Sequence, residues 1–343
     1  MRALFIGLGG IGQRHLRNLK AIAPDVEVAA VRAKNRTFEI SDSLQADLST
    51  DIVSKYGIRI FDDLESALSF APDIAVVANP TVSHLQTCRQ LVEGNVPVFL
   101  EKPVSADRRG LEELVTLVEE KKVPVAVGYQ LRRHPCVRRA KSVLEEGRLG
   151  KIYSVEARVH AFMPAWHPYE DYKDFYASQR SLGGGVVLTE IHEIDLIVWM
   201  IGKPLRVSAM GGRMSDLEMD VEDTVSAVLE LECAGRRIPA TLKLSFVQRP
   251  VSRFLGIYCE HGSLELDIPN DTLVVSGSSL EDVDTLSLDN FDRNKMFVEE
   301  LSEFIDCVRS GGEAETSLER CLPAHEAALA MLDSLNDGRM VEL

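Results

Sequence analysis

The chain has 343 residues, of which 45% are hydrophobic and 27% charged, and its formal net charge is −15. This is the composition of a globular protein long enough for two domains, and its acidity argues against nucleic acid as a partner. No apolar run reaches the ~20 residues of a membrane helix, and the glycine-rich N-terminus does not resemble a signal peptide, so we expect a cytoplasmic protein without a membrane partner. The six cysteines form no CxxC pair, which predicts scattered reduced thiols and no metal site.

The first 130 residues alternate strand and helix patterns. A helix pattern covers residues 11–22, and the predicted strands are the apolar runs 3–8, 26–31, 58–61, 74–78, 96–100 and 125–129. Runs without polar alternation are typical of strands covered on both faces, and intervening helices indicate parallel pairing. We therefore predict an α/β domain with a doubly wound parallel sheet of the Rossmann type over residues 1–130.

Residues 131–343 show a different pattern, which predicts an α+β domain with an open, largely antiparallel sheet. In 224–232, apolar Val225, Ala227, Leu229 and Leu231 alternate with polar positions, and 240–246 repeats this alternation. Alternation is typical of a sheet with one polar face. Helix patterns near 297–308 and 318–335 close the chain, and we expect the functional site in the crevice between the two domains.

A GxGxxG motif formed by Gly7, Gly9 and Gly12, with Gly10 and Ile11 inside it, links the first strand to the first helix. The first glycine permits a tight turn, the second lets the backbone approach a pyrophosphate, and the third allows close helix packing. The helix N-terminus would then face the phosphates with its N–H groups. The motif predicts a dinucleotide cofactor, and a purely structural turn is the alternative.

The residue about 20 positions beyond such a loop is usually the acid that binds the adenosine ribose. Here that position holds Arg32, residues 28–37 contain no Asp or Glu, and Lys34 and Arg36 follow. Bases in this place suit a 2′-phosphate, which a guanidinium binds by paired, charge-assisted hydrogen bonds. We therefore predict that NADP(H) is preferred over NAD(H), and solvated loop bases are the alternative.

Two further segments carry candidate chemistry. Lys102, in the sequence EKP, follows the fifth strand at the crevice edge of the sheet, where it could donate to a reacting hydroxyl or carbonyl. Three glycines at 183–185 open a helix pattern in which His192 and Asp195 can share a face. A surface lysine and a core histidine are the respective alternatives.

Taken together, these motifs resemble those of the Gfo/Idh/MocA oxidoreductases over nearly the whole chain. The resemblance rests on GLGGIG (7–12), ANPTVSH (78–84), EKP (101–103), GYQLRRHP (128–135), GKIYSVEARV (150–159) and GGGVVLTEIHEID (183–195). It implies a Rossmann domain followed by an α/β domain built on an open sheet. It also implies NAD(P)-dependent oxidation of a secondary alcohol of a sugar, nucleotide sugar or polyol, or reduction of the matching ketone.

The resemblance assigns roles to individual residues. Lys102 and His192 occupy the positions of the catalytic lysine and histidine, so that His192 would take the hydroxyl proton and Lys102 would bind the substrate oxygen. With an ordinary histidine pKa of ~6.5, such a residue would shuttle protons near neutrality. The matched positions beside the cofactor are Asn79, Pro80, His84, Glu101 and Gln130.

One position departs from the family pattern. Many members carry an Asp ahead of the histidine in the GGG helix, where this chain has Thr189, followed by Glu190. A threonine hydroxyl is neither an acid nor a base at neutral pH. Either Lys102 and His192 suffice for the proton transfer, or this branch of the family has altered chemistry.

Residues 166–176, WHPYEDYKDFY, resemble an insertion of a subgroup. Its aromatic and hydroxyl groups suit a sugar ring, and packing on the domain or on a neighbouring subunit is the alternative. The predicted substrate-binding residues are Lys102, Arg132, Trp166, His167, Tyr172, Thr189 and His192.

Two other functions are compatible with the same resemblance. Some relatives use tightly held NAD to oxidise and re-reduce one sugar while a glycosidic bond is cleaved, and others are cofactor-sensing regulatory proteins without catalysis. The family commonly pairs its open sheets between subunits, so the resemblance also implies a homodimer or homotetramer through the sheet of the second domain.

Overall fold

The computed structural model describes residues 1–32, 37–279 and 281–343. In those ranges no helix has the length and apolarity that crossing a bilayer requires. The helices, in chain order, are α1 (Gly10–Ile22), α2 (Ile52–Tyr56), α3 (Leu64–Leu68), α4 (His84–Glu93), α5 (Leu111–Lys121), α6 (Pro135–Glu145), α7 (Val186–Thr189), α8 (His192–Ile201), α9 (Asn294–Ser310) and α10 (Leu318–Asp337).

Most strands of the first domain form one parallel sheet. Its strands and those of a small hairpin are β1 (Arg2–Ile6), β2 (Glu27–Val31), β3 (Phe38–Ile40), β4 (Ala46–Asp51), β5 (Arg59–Phe61), β6 (Ile74–Val77), β7 (Val98–Leu100) and β8 (Val125–Val127). Within the described residues the sheet has six strands in the order β5-β2-β1-β6-β7-β8. The order reverses beside β1, which is where doubly wound sheets bind ligands. All six predicted strands are confirmed.

The hairpin of β3 and β4 was not predicted. β3 has only three residues and β4 is largely polar, so neither shows the sustained apolar run or alternation that indicates a strand. The hairpin is instead fastened to α1, because the Gln13 amide bonds both the Phe38 carbonyl (3.1 Å) and the Ile40 N–H (2.7 Å). Arg17 adds a bond to the Ile40 carbonyl (2.7 Å). Its stability therefore comes from contacts with a distant segment.

The second domain is built on a mixed, mostly antiparallel sheet. Its strands are β9 (Ile152–Phe162), β10 (Lys203–Gly212), β11 (Thr224–Cys233), β12 (Arg236–Ser245), β13 (Val247–Cys259), β14 (Gly262–Asp267), β15 (Thr272–Ser276), β16 (Val283–Ser287) and β17 (Val341–Glu342). Among the described residues the order is β16-β15-β14-β13-β9-β12-β11-β10-β17, and β12 pairs with β9 in parallel. The predicted fold class is confirmed.

The two faces of this sheet differ as the alternation predicted. Val225 and Leu229 of β11 lie in the core, beneath α8 and α10. On the opposite face Met210 is 79% exposed and Val228 is 50% exposed. The second face is therefore open in the single chain.

The C-terminal helices return to the first domain. Leu301, Phe304 and Ile305 of α9 share a core cluster with Phe5 and Phe99 of the parallel sheet. Both predicted C-terminal helices are confirmed, and α9 ends at Gly311 as expected. A division near residue 130 stays a prediction, because the first core is completed by residues close to the other end of the chain.

Candidate active site

The glycine loop between β1 and α1 is closed on one side and open on the other. A Cβ on Gly12 would collide with the carbonyl oxygen of Gly7, so that only glycine permits this turn to close. A Cβ on Gly9 would meet no described atom within 4 Å. The backbone is thus bare and accessible at Gly9.

This open side fits the pyrophosphate of a dinucleotide. The N-cap of α1 is Gly9, which has no side chain to bond the first N–H groups of the helix. The N–H groups of a helix's first turn have no partner inside the helix, and the helix dipole favours an anion in front of them. Gly9, Gly10, Ile11 and Gly12 would therefore hold the phosphates as predicted.

Arg32 follows β2 at the predicted adenosine position, whereas Lys34 and Arg36 lie outside the described residues. The structure also brings an acid close to Arg32. The pKa of the Asp51 carboxyl is lowered mainly by hydrogen bonds from Ser54, and the charge of Arg32 contributes to the shift. The pattern of residues 28–37 could not reveal this acid, because the unpredicted hairpin delivers it.

The loop after β6 is tied to the EKP turn by His84. Its Nδ1 lies 2.7 Å from the Pro103 carbonyl oxygen, and its Nε2 lies 2.9 Å from the Asn79 carbonyl oxygen. Burial lowers the pKa of His84, and a neutral ring can donate to one carbonyl at a time. Asn79 donates to Thr87 Oγ1 (3.0 Å), while its buried Oδ1 has no partner among the described residues. This orphaned oxygen is an acceptor available to a cofactor.

Glu101 is held by a residue that the sequence did not single out. The Nε2 of His15 on α1 lies 2.6 Å from Glu101 Oε1, and both residues are buried. The helix behind the glycine loop therefore supports the motif that carries Lys102. No local signal could have predicted this pair, since 86 positions separate its members.

Lys102 belongs to the first domain and His192 to the second, and the two residues lie on opposite sides of the crevice. Lys102 Nζ donates to the main-chain carbonyl of Thr189, 2.6 Å away, in the segment just before His192. His192 is the first residue of α8, and its Nε2 lies 3.4 Å from Nε2 of Gln130. The Tyr129 ring packs edge-on against its imidazole, with centroids 5.9 Å apart. The structure thus brings together four of the predicted residues, Lys102, Gln130, Thr189 and His192.

The surroundings keep His192 uncharged. Burial lowers its pKa well below the ordinary value, and the positive charges of Lys102, Arg253 and Arg293 lower it further. A neutral imidazole can accept a proton over the whole range near pH 7. In the chain without ligands we therefore expect His192 to titrate below the ordinary value of ~6.5.

Arg132 requires a correction. It was predicted to bind substrate, but it is 1% exposed, and its Nε donates to Asp195 Oδ2 at 2.9 Å. A second bond reaches the main-chain carbonyl of Glu315 at 3.1 Å. Asp195 lies one turn after His192 and is occupied by this ion pair. Arg132 therefore positions α8 and is not available to a substrate.

Thr189 takes part through its backbone. Its carbonyl binds Lys102, while its buried Oγ1 has no hydrogen-bond partner among the described residues. The neighbouring acid Glu190 pairs with Arg253, which also binds Glu193 at 2.7 Å. Burial and the charge of Glu190 together raise the pKa of Glu193 to about 7, against the opposing effect of Arg253. At position 189 the chain thus presents a main-chain carbonyl to Lys102. The adjacent acids pair with Arg253, a residue that the sequence analysis did not single out.

The third glycine of 183–185 explains how this segment begins. Gly185 has a φ of 111°, and a Cβ there would collide with the carboxylate of Glu222. That carboxylate accepts a hydrogen bond from the Val187 N–H, 3.1 Å away. The glycine lets an acid approach the start of α7, three residues before the carbonyl that binds Lys102.

Within residues 166–176, the predicted substrate residues are at least partly used in packing. Trp166 packs edge-on against Phe246 with centroids 5.2 Å apart, and the Tyr172 hydroxyl accepts from the Glu218 N–H at 3.1 Å. His167 stacks on Tyr169. A substrate role for Trp166, His167 and Tyr172 stays a prediction.

Two family models match the chain. One, described as an oxidoreductase family with an NAD-binding Rossmann fold, matches residues 1–129, and the other, the GFO/IDH/MocA C-terminal domain, matches residues 137–265. Among similar proteins, the myo-inositol dehydrogenase Hyg17 of Streptomyces leeuwenhoekii is 27% identical over 68% of this chain and 66% of its own length. The UDP-N-acetylglucosamine 3-dehydrogenase of Acidithiobacillus ferrooxidans is 24% identical over 80% of this chain and 76% of its own.

Solved structures share the fold over the full chain. GenD2 from gentamicin A biosynthesis, solved with NAD, has a TM-score of 0.81 at 21% identity and covers 100% of this chain and 96% of its own. WlbA of Bordetella pertussis, solved with NADH and UDP-GlcNAcA, has a TM-score of 0.79 at 21% identity, and the match covers 100% of this chain and 98% of WlbA. At this identity the likeness establishes the fold.

The charge around His192 can be measured directly. We expect NMR titration of its imidazole to give a pKa below the ordinary ~6.5, because burial and nearby cations disfavour the protonated ring. Lys102→Met removes one of those cations, so the pKa should rise toward the ordinary value. A pKa at or above ~6.5 in the unchanged protein would contradict this description.

Proposed function

Because this chain belongs to the Gfo/Idh/MocA oxidoreductases, we propose that it transfers a hydride between a nicotinamide and a sugar-type secondary alcohol or ketone. The observation that carries the proposal is the meeting of Lys102 with the Thr189–His192 segment across the crevice. Bound nicotinamide would accept the hydride in oxidation and supply it in reduction. The chain's own residues would hold the substrate oxygen and move its proton.

His192 would be the base that receives the hydroxyl proton. Its lowered pKa leaves the ring neutral, and the Gln130 amide nitrogen that faces Nε2 favours the tautomer in which Nε2 is the acceptor. The 3.4 Å contact with Gln130 is long for a hydrogen bond, so a substrate hydroxyl could replace it at little cost. In reduction the same nitrogen would return a proton to the nascent hydroxyl.

Lys102 would stabilise the oxygen as its proton leaves. One of its N–H groups is directed to the Thr189 carbonyl, and an ammonium has three donors. The remaining donors could hold an oxygen that develops negative charge. This division of labour needs no carboxylate at position 189, which is consistent with threonine there.

The substrate class is supported by the names of the similar proteins. They include a myo-inositol dehydrogenase and a UDP-N-acetylglucosamine 3-dehydrogenase. Polyols, sugars and nucleotide sugars all present secondary hydroxyl groups in a ring. Neither the glycosidase-type reaction nor the regulatory role is favoured by these relatives. A cytoplasmic location remains a prediction from the sequence.

Removal of either catalytic side chain should abolish most turnover. We expect Lys102→Ala and His192→Ala each to lower kcat by about a hundredfold or more, since each removes a group that acts on the reacting oxygen. Turnover is followed by cofactor absorbance with a panel of inositols, sugars and nucleotide sugars. Cofactor affinity, measured by protein fluorescence, should remain largely unchanged.

The matched controls are Lys203→Ala and His261→Ala, whose side chains are exposed and distant from the crevice. Both controls should keep full turnover. Full activity in both crevice variants would overturn the assignment of Lys102 and His192.

For the cofactor we propose a preference for NADP(H). Its support is the base at position 32, directly after β2, where a 2′-phosphate would lie. The nearby Asp51 weakens the positive potential there, so the preference depends on how far Arg32 is drawn to that acid.

Titration of both cofactors tests the preference. We expect NADPH to bind more tightly than NADH, and Arg32→Ala to weaken NADPH binding by about tenfold or more while leaving NADH little changed, because charge-assisted bonds to the 2′-phosphate are lost. Arg59→Ala, an exposed arginine on neighbouring β5, is the control. Tighter binding of NADH by the unchanged protein would contradict the proposal.

The open sheet face supports a homodimer or homotetramer. Met210 and Val228 are exposed there, beside polar residues of β9 and β12. Exposed apolar side chains on a broad, flat surface are characteristic of protein interfaces. A second copy of the chain would cover both.

Sedimentation measures the assembly. We expect the unchanged protein to sediment as a dimer or tetramer and Met210→Lys to shift it toward the monomer, because the interface would bury an unpaired charge. Leu48→Lys, on the exposed hairpin of the first domain, is the control and should leave the assembly intact. A monomer in the unchanged protein would contradict an interface on this face.

A further inference from the structure

Tyr169 of the second domain touches the glycine loop of the first. A Cβ on Gly10 would lie 3.0 Å from the Tyr169 hydroxyl oxygen and 3.8 Å from Leu44 Cδ2. At the neighbouring Gly9 a Cβ would meet no described atom within 4 Å. The phenol hydroxyl therefore lies beside the open backbone at Gly9.

Residues 166–176, here called the strap, hold Tyr169 in this position because both ends of the segment are anchored on the second domain. Trp166 at one end packs against Phe246. Toward the other end the Tyr172 hydroxyl binds the Glu218 N–H, and the Ser178 hydroxyl lies 2.7 Å from the carbonyl of Tyr172. Both ends are thus anchored on the second domain, and the segment between them reaches the first.

The strap is also ordered around Tyr169 itself. The rings of His167 and Tyr169 are stacked, with centroids 5.2 Å apart and planes inclined by 16°. His167 Nδ1 lies 3.3 Å from Glu170 Oε1, and its ring packs edge-on against Phe175 with centroids 4.2 Å apart. A stacked ring has little rotational freedom, so the hydroxyl is held in a defined position beside the glycine loop.

The chemistry of this junction is that of a phosphate clamp. The first turn of α1 offers main-chain N–H donors without partners inside the helix. Tyr169 adds a hydroxyl, which can donate to a phosphate oxygen from the opposite side. A pyrophosphate placed at Gly9 would then be bound by both domains.

We propose that Tyr169 is a cofactor-binding residue that closes the strap over the dinucleotide pyrophosphate. This inference rests on the proposed nicotinamide chemistry and adds a contact from the catalytic domain to the cofactor. The insertion was predicted to serve a sugar ring, and the structure assigns its central tyrosine to the other ligand. Binding of the cofactor would therefore hold the second domain, with His192, against the first.

Tyr169→Phe tests the clamp with the ring stack preserved. We expect its Kd for NADPH, NADH and ADP-ribose to rise by about tenfold, because a hydrogen bond to a charged oxygen is lost. The Kd for adenosine, which lacks the pyrophosphate, should not change. Tyr153→Phe is the matched control, since Tyr153 lies on β9 and is 48% exposed, and it should bind all four ligands as the unchanged protein does.

A second variant probes the contact itself. Gly10→Ala would place a methyl group 3.0 Å from the hydroxyl, so it should weaken binding of ADP-ribose by displacing Tyr169. In a Tyr169→Phe background the same change should weaken binding less, because the displaced atom is absent. Equal effects in the two backgrounds would show that Gly10 acts independently of Tyr169.

The outcomes distinguish a failure of the proposed function from a failure of the Tyr169 clamp. If the unchanged protein binds no dinucleotide, the proposed function and the clamp both fall. If it binds dinucleotide and Tyr169→Phe binds ADP-ribose equally well or more tightly, the clamp alone is overturned. Thermal unfolding of the ligand-free variants distinguishes a lost contact from a damaged fold, and we expect their Tm values to match that of the unchanged protein.

Discussion

The buried ion pair between Arg132 and Asp195 is the constraint on which the crevice depends. Arg132 belongs to the segment that follows β8, and Asp195 lies one turn beyond His192 on α8. Loss of one partner from a buried pair typically costs about 3–5 kcal/mol, since the other charge is left without compensation. The pair therefore ties α8 to the segment that follows the last strand of the parallel sheet, and it constrains where His192 can lie. The Lys102–Thr189 hydrogen bond joins the loop after β7 to the segment just before His192.

Charge around the crevice is arranged so that its base stays neutral. Arg253 is paired with Glu190 and Glu193. The positive charges of Arg253 and Lys102 nevertheless both lower the pKa of His192. A neutral imidazole beside a lysine suits the removal of a proton from an oxygen that then carries negative charge. The two acids closest to His192 in sequence, Glu190 and Glu193, both pair with this arginine.

The first domain is completed by segments that come from far along the chain. Helix α9 closes its core, the hairpin of β3 and β4 rests on α1, and the strap reaches its glycine loop. Each of these segments borders the cofactor cradle or the sheet beneath it. The first domain is consequently joined to the rest of the chain through several separate contacts.

The sequence by itself determined the elements whose signals are local. Continuous apolar runs specified the parallel strands, alternation specified the open sheet, and the glycine spacing specified the cradle, because each depends on the period of one element. Lys102 and His192 were recognisable because their neighbours form a family pattern.

Only the tertiary structure decided what depends on residues far apart in the chain. It buried Arg132 against Asp195, brought Asp51 to Arg32, placed a carbonyl at Lys102 and set Tyr169 over Gly10. None of these contacts follows from a local period. They arise when distant segments pack and their polar groups must find partners away from water.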